Sequence, residues 1–586
     1  MSSTGTSDDS VEAPGPFSVQ IVTLLRRRST AVSVVILATL AYLPALTASP
    51  GRMPSDSKLF VYLDPGRFLA DAAGSFDPRW YSGWVPHQHV AYLWPTGPWF
   101  WFFETLAVPD WIAHRLWVGT LLVSAGLGVR WLARILGLPV MAALVAAIVY
   151  QLSPYVLPYV SRTSVLLLPF AGLGWIVGFA VLGTRRPDQR WRFPAAIALV
   201  VLTVGAVNAT ALLMIVPAPA LWLVHAVWSR LTTWRRALAF AVRTAVLCAG
   251  VSLWWVAMLL VQGRYGADVL EYSESLGSVS FTSTSTEVVR GLGYWLFYVR
   301  DAFAATTTAS IDHLASGRTV LVGFVLVSVC VAAIVVARWP HRRFTALLVG
   351  VGAVIAVGAH PLDDPSPLVD ALVPDTESGL ALALRSSTRA VPVLVLGLAL
   401  AAGALAAGAG RLHQPRPAMA RLVVSVGISA LAVLNLPALW QGGFVDPALE
   451  RDQDPPDAWI EAAADLDGRA EGYRVLQLPG AEFGAFAWGY TVDQPLPSRT
   501  DRPLVTRDLL PLGSPAAMDL AFALDDRVQE GSVESSSIAP VARLLGVDTI
   551  WLAGGVGGAR VRRGRPGTVR GGGGALYLCG EDDRRK

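Results

Sequence analysis

The stretch RRRSTAVSVVILATLAYLPALTAS, residues 26–49, decides the fold. Three arginines are followed by an apolar run from Ala31 to Ser49, about the length that crosses the ~30 Å hydrocarbon core of a bilayer as a helix. Working outward, runs of this kind recur as far as Trp440. Eleven are predicted: 31–49, 111–129, 139–151, 163–183, 193–207, 209–228, 243–261, 319–337, 344–358, 390–409 and 422–440. The third and fifth are short, and residues 92–108 read as a re-entrant or interfacial segment. The whole chain agrees, because 53% apolar residues, 15% charged residues and a mean hydropathy of +0.48 over 586 residues do not suit an ordinary soluble domain. The predicted fold class is an α-helical polytopic membrane protein of about eleven transmembrane helices, with a small α/β extracytoplasmic C-terminal segment.

Arginine sets the orientation. Eleven spans put Arg26 to Arg28, Arg130, Arg134, Arg185, Arg186, Arg190, Arg192, Arg230, Arg235, Arg236, Arg243, Arg338, Arg342, Arg343, Arg411, Arg416 and Arg421 on one face, with Asp188 the single acid among them. Positive charge beside span ends is retained in the cytoplasm. The opposite face receives three long loops, 50–110, 262–318 and 359–389, which hold seventeen Asp and Glu residues. A full crossing by residues 92–108 would reverse this bias, so none is predicted there. The expected location is a plasma (inner) membrane, with the working face turned to the exterior or periplasm.

Residues 1–29 read as a largely disordered cytoplasmic tail, and the first span as a retained anchor. Cys248, Cys330 and Cys579 offer no disulfide framework. The net charge of +4 and pI near 9.0 come from cytoplasmic arginine, so nucleic acid is not invoked as a partner.

The outer loops carry the candidate chemistry. Asp56 follows the first span directly, at headgroup depth, where a lipid-linked substrate presents its polar end. A carboxylate there could take the proton of an acceptor hydroxyl as that oxygen attacks a sugar carbon; alternatively it pairs with Lys58 or Arg52, or caps a turn. Asp64-Pro65 reads as a helix start, with Leu63, Phe68, Leu69 and Ala72 facing the membrane surface. An aromatic run that includes Trp80, Tyr81, Trp84, Tyr92, Trp94 and Trp99 to Phe103 suits belt anchors, and one or two of its rings suit sugar C–H faces. His87 and His89 could ligate a metal with Asp56 or Glu104, or simply face solvent. Further on lie Asp268, Glu271, Tyr272 and Glu274, then a Ser/Thr-rich strip. Arg385 stands at a span mouth, where its planar fork suits a lipid phosphate or anchors the helix at the headgroups.

No Walker loop, dinucleotide fingerprint or Ser/His/Asp signature in a credible context is found. The spans hold few ionisable residues, Arg115 and His225 being examples, and this disfavours a transporter.

Asp56-Ser57-Lys58, Asp64-Pro65-Gly66-Arg67-Phe68-Leu69, Phe76-Asp77-Pro78, Tyr92-Leu93-Trp94-Pro95-Thr96-Gly97-Pro98 and Arg115-Leu116-Trp117 resemble the N-terminal membrane region of the mycobacterial α-(1→3)-arabinofuranosyltransferases. Tyr272-Ser273-Glu274, Arg290-Gly291-Leu292-Gly293-Tyr294-Trp295 and Leu384-Arg385-Ser386 extend the resemblance, which covers about residues 30–550. It implies a GT-C glycosyltransferase fold that takes arabinofuranose from decaprenyl-phosphoryl-arabinose and adds it to envelope arabinan outside the membrane. It makes Asp56 the catalytic base and places Lys58, Glu274 and Arg385 near donor or acceptor; Tyr272, His87 and Trp94 are counted with them as substrate contacts. The partners implied are a polyprenyl-phosphate sugar, a cell-envelope polysaccharide and membrane lipid. No metal ligand set is evident, although a divalent ion could assist the departing phosphate. Ser57 and Ser273 stand where the family usually has threonine, and the family's long carbohydrate-binding C-terminal part is missing.

The predicted organisation is a transmembrane domain over 30–440, an α/β segment over 441–552, and a Gly/Arg-rich disordered tail over 553–586, where a truncation or frameshift near 553 is expected. Ala458 to Leu466 reads as a helix, and Arg474 to Leu478 and Thr549 to Leu552 as strands with an open edge. The rival readings are a non-catalytic glycan-binding or scaffold protein and, behind it, a lipid or polysaccharide transporter.

Overall fold

The computed structural model describes residues 16–552 and 576–578, apart from 57, 73, 75, 78, 80–82, 84–86, 269–273, 301–304, 306, 359, 368, 370–384, 412–415, 470–473, 481–483, 487 and 508–512. Of 16–29, 87–89, 411, 485, 535 and 576–578 it describes the backbone alone. All eleven predicted spans fall on helices. Among the described residues nine are long and apolar enough to cross a bilayer: Thr30–Thr47, Asp110–Ile135, Val140–Val160, Ser164–Arg185, Ala209–Trp228, Trp234–Tyr265, Gly317–Val336, Ser387–Gly408 and Pro417–Leu434. The other two are the helices Arg192–Val204 and Arg342–Val357, of 13 and 16 residues. At 1.5 Å per residue they reach only about 20 and 24 Å.

Position in the bundle explains how these sequences differ. Val140–Val160 and Ser387–Gly408 are apolar all round because they are 89% buried, whereas Trp234–Tyr265 lies at the periphery with 11% buried. Asp110–Ile135 and Ser164–Arg185 meet through small residues: a Cβ on Gly174 would fall 2.6 Å from the Gly128 carbonyl carbon, so backbones touch where side chains would otherwise hold them apart.

The two ends of the bundle have different chemistry. At one end Arg130 donates to Thr30 at 3.3 Å and Arg185 to the Ile135 carbonyl at 2.5 Å. At the other, the three long loops and the C-terminal segment interlock. Strand β1 (Arg52–Pro54) pairs antiparallel with β2 (Glu450–Asp452). The Ala267 amide donates to the Gly513 carbonyl at 2.9 Å, and the Leu504 amide to the Arg79 carbonyl at 2.7 Å. Acidic loops and arginine turns therefore sit at opposite ends, as the parity of eleven spans requires. The helix Thr96–Thr105 is ten residues, about 15 Å, so the aromatic segment does not cross. Phe100 packs edge-on to Tyr62 at 4.6 Å while Trp101 and Phe102 stay exposed.

The C-terminal segment contains a parallel sheet, in the order β6 (Leu504–Val505), β3 (Arg474–Leu478), β7 (Val547–Leu552), β8 (Leu576–Leu578). The predicted helix is Asp457–Asp467 and both predicted strands are present. Four expectations need correction. The first helix starts at Pro16, so residues 16–29 are not all an unstructured tail. The open edge of β7 is taken by β8, so the tail beyond 553 is not wholly without structure. The α/β segment is not separate from the membrane domain, because the sheet β1-β2-β5-β4, with β4 at Ala485–Phe486 and β5 at Gly489–Tyr490, includes a strand of the first outer loop. Finally, the helix Pro65–Asp71 is capped by Asp64 as predicted, yet its apolar side packs into protein, with Phe68 5.2 Å from the Phe60 ring, and not onto lipid.

Candidate active site

Strand β1 ends at Pro54, and the Ser55 amide donates to the Leu449 carbonyl at 2.8 Å. The chain then turns Asp56 inward against the bundle. Its carboxylate is enclosed, at 1% exposure, and pairs with neither Arg52 nor Lys58. Oδ1 accepts from the Ser164 amide at 3.0 Å, and Oδ2 from His114 Nε2 at 3.1 Å and from the Ser164 hydroxyl. Behind these donors stand two more: Arg115 Nη1 lies 3.0 Å from His114 Nδ1, and the Trp117 indole N–H donates to Ser164 Oγ at 3.1 Å. His114, Arg115 and Trp117 share the first turns of Asp110–Ile135, and Arg115 Nη2 reaches back to the Arg52 carbonyl at 2.9 Å. Burial, and then the Asp56 charge, push the Tyr62 hydroxyl well above its ordinary value.

Lys58 is engaged by a residue far along the chain. Its Nζ meets Asp493 Oδ1 at 3.2 Å, and Asp493 Oδ2 accepts from the Leu59 amide at 2.7 Å. The cation that the resemblance places near donor or acceptor is thus opposed by a buried carboxylate that fastens the C-terminal segment onto the first loop.

A second polar cluster forms around Glu274. It accepts from the Ser386 hydroxyl and lies 3.6 Å from Arg389 Nη2. Arg389 Nη1 donates to Asn208 Oδ1 at 2.8 Å, and its guanidinium stands 5.9 Å from the Tyr294 ring. Tyr294 in turn stacks on Tyr159 at 5.1 Å. Burial raises the Tyr294 hydroxyl, Arg389 opposes that rise and Glu274 adds to it. Arg385 is also buried, and its guanidinium is pulled down by burial, with Glu274 acting against the shift. The direct ionic partner of Glu274 is Arg389, one helical turn beyond the predicted Arg385. In the quoted motif Arg290 to Trp295, Gly291 and Gly293 hold φ of +83° and +100°, a region costly for any side chain.

The remaining predicted residues are dispersed. Trp94 is half exposed and donates to Thr203 Oγ1 at 3.4 Å. His87 opens the helix His87–Tyr92, its side chain outside the description, and Tyr272 lies outside the described residues. Among the described residues no group of three or more His, Cys, Asp or Glu could hold a metal ion. Sequence reasoning missed His114, Ser164, Asp493, Asn208 and Arg389. Ser164 and Asn208 sit in short turns, at 152–166 and 205–208, that carry no Asp or Glu, and Tyr155 and Tyr159 are their only aromatic residues.

His313 gives this region a pH dependence. It is buried on Ala309–Ala315, and burial, then Arg290, push its imidazole down to about 4. An unfolded histidine takes a proton near 6.5, so the native fold should be fully stable above that pH and should lose about 3 kcal/mol as pH falls from 6.5 towards 4. In thermal unfolding across this range, His313→Leu should flatten the decline. Parallel curves for the two proteins would exclude His313 as its source.

A helical bundle whose long loops and α/β segment close over a carboxylate just after the first span is the architecture of a GT-C membrane glycosyltransferase. The arabinofuranosyltransferase AftD from Mycobacteria, solved by cryo-electron microscopy, shares the fold: the TM-score is 0.67 at 24% identity, covering 88% of this chain and 34% of that one. A mutant form of the same enzyme superposes with an equal TM-score. The profile of the family described as alpha-(1->3)-arabinofuranosyltransferase, N-terminal GT-C domain, matches residues 40–569, and the chain belongs to that family. The α-(1→3)-arabinofuranosyltransferase of Mycolicibacterium smegmatis is 31% identical over 492 residues, which cover 80% of this chain and 33% of the relative. That of Mycobacterium tuberculosis is 30% identical over 507 residues, 80% of this chain and 34% of the relative. The chain thus spans about a third of the length of these relatives, and the family match runs past the expected break near 553.

Proposed function

We propose that this chain transfers arabinofuranose from a polyprenyl-phosphate donor to a cell-envelope glycan on the external face of the plasma membrane. The observation that carries the reading is the Asp56 network: a family glycosyltransferase fold buries a carboxylate at the long-loop end of the bundle and surrounds it with aimed donors. The arginine asymmetry supports the external face.

In the proposed step the acceptor oxygen forms a bond to the anomeric carbon. The bond from that carbon to the phosphate oxygen breaks, its electron pair leaves with the polyprenyl phosphate, and the acceptor proton passes to Asp56. Among the donors on the carboxylate, the Ser164 amide is fixed by the backbone and the His114 N–H by its ring. The Ser164 and Tyr62 hydroxyls can rotate away, so the acceptor hydroxyl takes the place of one of them. Glu274 and Arg389 form the second polar wall, with Arg385 and Lys58 beside these clusters. No step is routed through a metal.

A second reading, a non-catalytic glycan-binding relative, is favoured by the enclosure of Asp56. The two separate on incubating purified chain with radiolabelled prenyl-phosphate sugars and a short arabinan. Product from the arabinofuranose donor alone is expected; donor binding with no turnover from any sugar would support the second reading.

A further inference from the structure

We infer that Arg115, His114, Trp117 and Ser164 form a one-way donor chain that holds Asp56 as an anion; they are positioning residues, and the inference rests on the base role proposed above for Asp56. The directions follow from what each group can do. A guanidinium has only donors, so the 3.0 Å contact makes Arg115 the donor and His114 Nδ1 the acceptor. A neutral imidazole accepting at Nδ1 carries its proton on Nε2, which therefore donates to Asp56 Oδ2. An indole likewise only donates, so Trp117 fills a lone pair of Ser164 Oγ and leaves the serine proton to point at Asp56. All four positioning side chains are buried.

Two consequences follow. His114 is not a proton carrier, because a second proton would have to sit on Nδ1, against the Arg115 guanidinium. Its role is to favour the ionised carboxylate, since a hydrogen bond to the charged form stabilises that form. The charged and titratable groups around the chain are Tyr62 from the first loop, Arg115 from the span and Arg451 from β2, with Glu450 acting on Arg115. The His-Arg-Leu-Trp run at 114–117 thereby gains a purpose: three of its four side chains serve Asp56, His114 directly, Arg115 through His114 and Trp117 through Ser164.

The test is the pH profile of kcat for the full chain in lipid nanodiscs, with synthetic prenyl-phosphoryl-arabinofuranose and a short arabinan. His114→Leu removes the donor, so the acid limb should move up by about one pH unit, a tenfold change in proton affinity. His114→Gln, whose amide reaches the place of Nε2, should bring the limb back to its position in the parent. If His114→Leu is not recovered as monodisperse protein, His114→Asn, too short to reach Oδ2, replaces it with the same expected shift. Acid limbs that coincide in all variants, with kcat lowered equally at every pH, would overturn the inference and leave His114 a merely structural residue. Asp56→Asn separates the two claims. Its inactivity beside an unshifted His114 variant sinks only the donor chain, whereas its retained activity sinks the base role itself.

Discussion

Asp56→Asn is expected to lower kcat for sugar transfer by about 10²–10⁴-fold, the usual contribution of a positioned general base. Asparagine keeps the shape and one acceptor, so the Ser164 amide can still find an oxygen. Its NH₂, however, meets the His114 N–H, whose proton the Arg115 contact pins on that side. The variant loses the basic oxygen and gains one donor facing a donor, a local cost of about 1–3 kcal/mol that leaves the bundle assembled. Steady-state turnover at saturating donor, on protein shown to be monodisperse, decides the matter; a kcat within tenfold of the parent would exclude Asp56 as the base.

Lys58→Met should have the largest effect on stability. The Lys58 and Asp493 side chains are only 9% and 7% exposed, and removing the cation leaves the Asp493 carboxylate buried with the Leu59 amide as its remaining hydrogen-bond donor. Breaking a buried pair from one side costs about 3–5 kcal/mol, because the surviving charge is uncompensated. The loss should appear as a lower unfolding midpoint and as earlier proteolysis of residues 441–552, since this pair helps hold that segment on the first loop. Lys58→Met combined with Asp493→Asn, which keeps an acceptor for Leu59, should recover more than half of it. A single variant within about 0.5 kcal/mol of the parent would show that the pair does not fasten the segment.

Length and apolarity made the spans legible, because a bilayer imposes its thickness on any helix that crosses it. The two helices below that length, Arg192–Val204 and Arg342–Val357, were still found, because each is an apolar run that begins at an arginine turn. Asp56 and Glu274 were legible through chemistry and position. Their partners were not, for physical reasons. His114 and Ser164 lie 58 and 108 residues from Asp56, and Asp493 is 435 from Lys58, so only the tertiary fold makes them neighbours. Arg385 and Arg389 are one turn apart at the same span mouth, and nothing local says which faces Glu274. Strands of two or three residues, such as β1 and β5, carry too little alternation to be read, which hid the sheet joining the first loop to the C-terminal segment.

All of this depends on which side of the membrane carries the loop of Asp56. Ser532 is exposed on the C-terminal segment at the Asp56 end, and Asp188 is exposed in an arginine turn at the other. With Cys579 replaced by serine, single Ser532→Cys and Asp188→Cys proteins can be treated in intact cells with a membrane-impermeant maleimide. Labelling of the first and protection of the second until the cells are opened is the predicted result, and the reverse pattern would place the candidate site in the cytoplasm and contradict an external transferase.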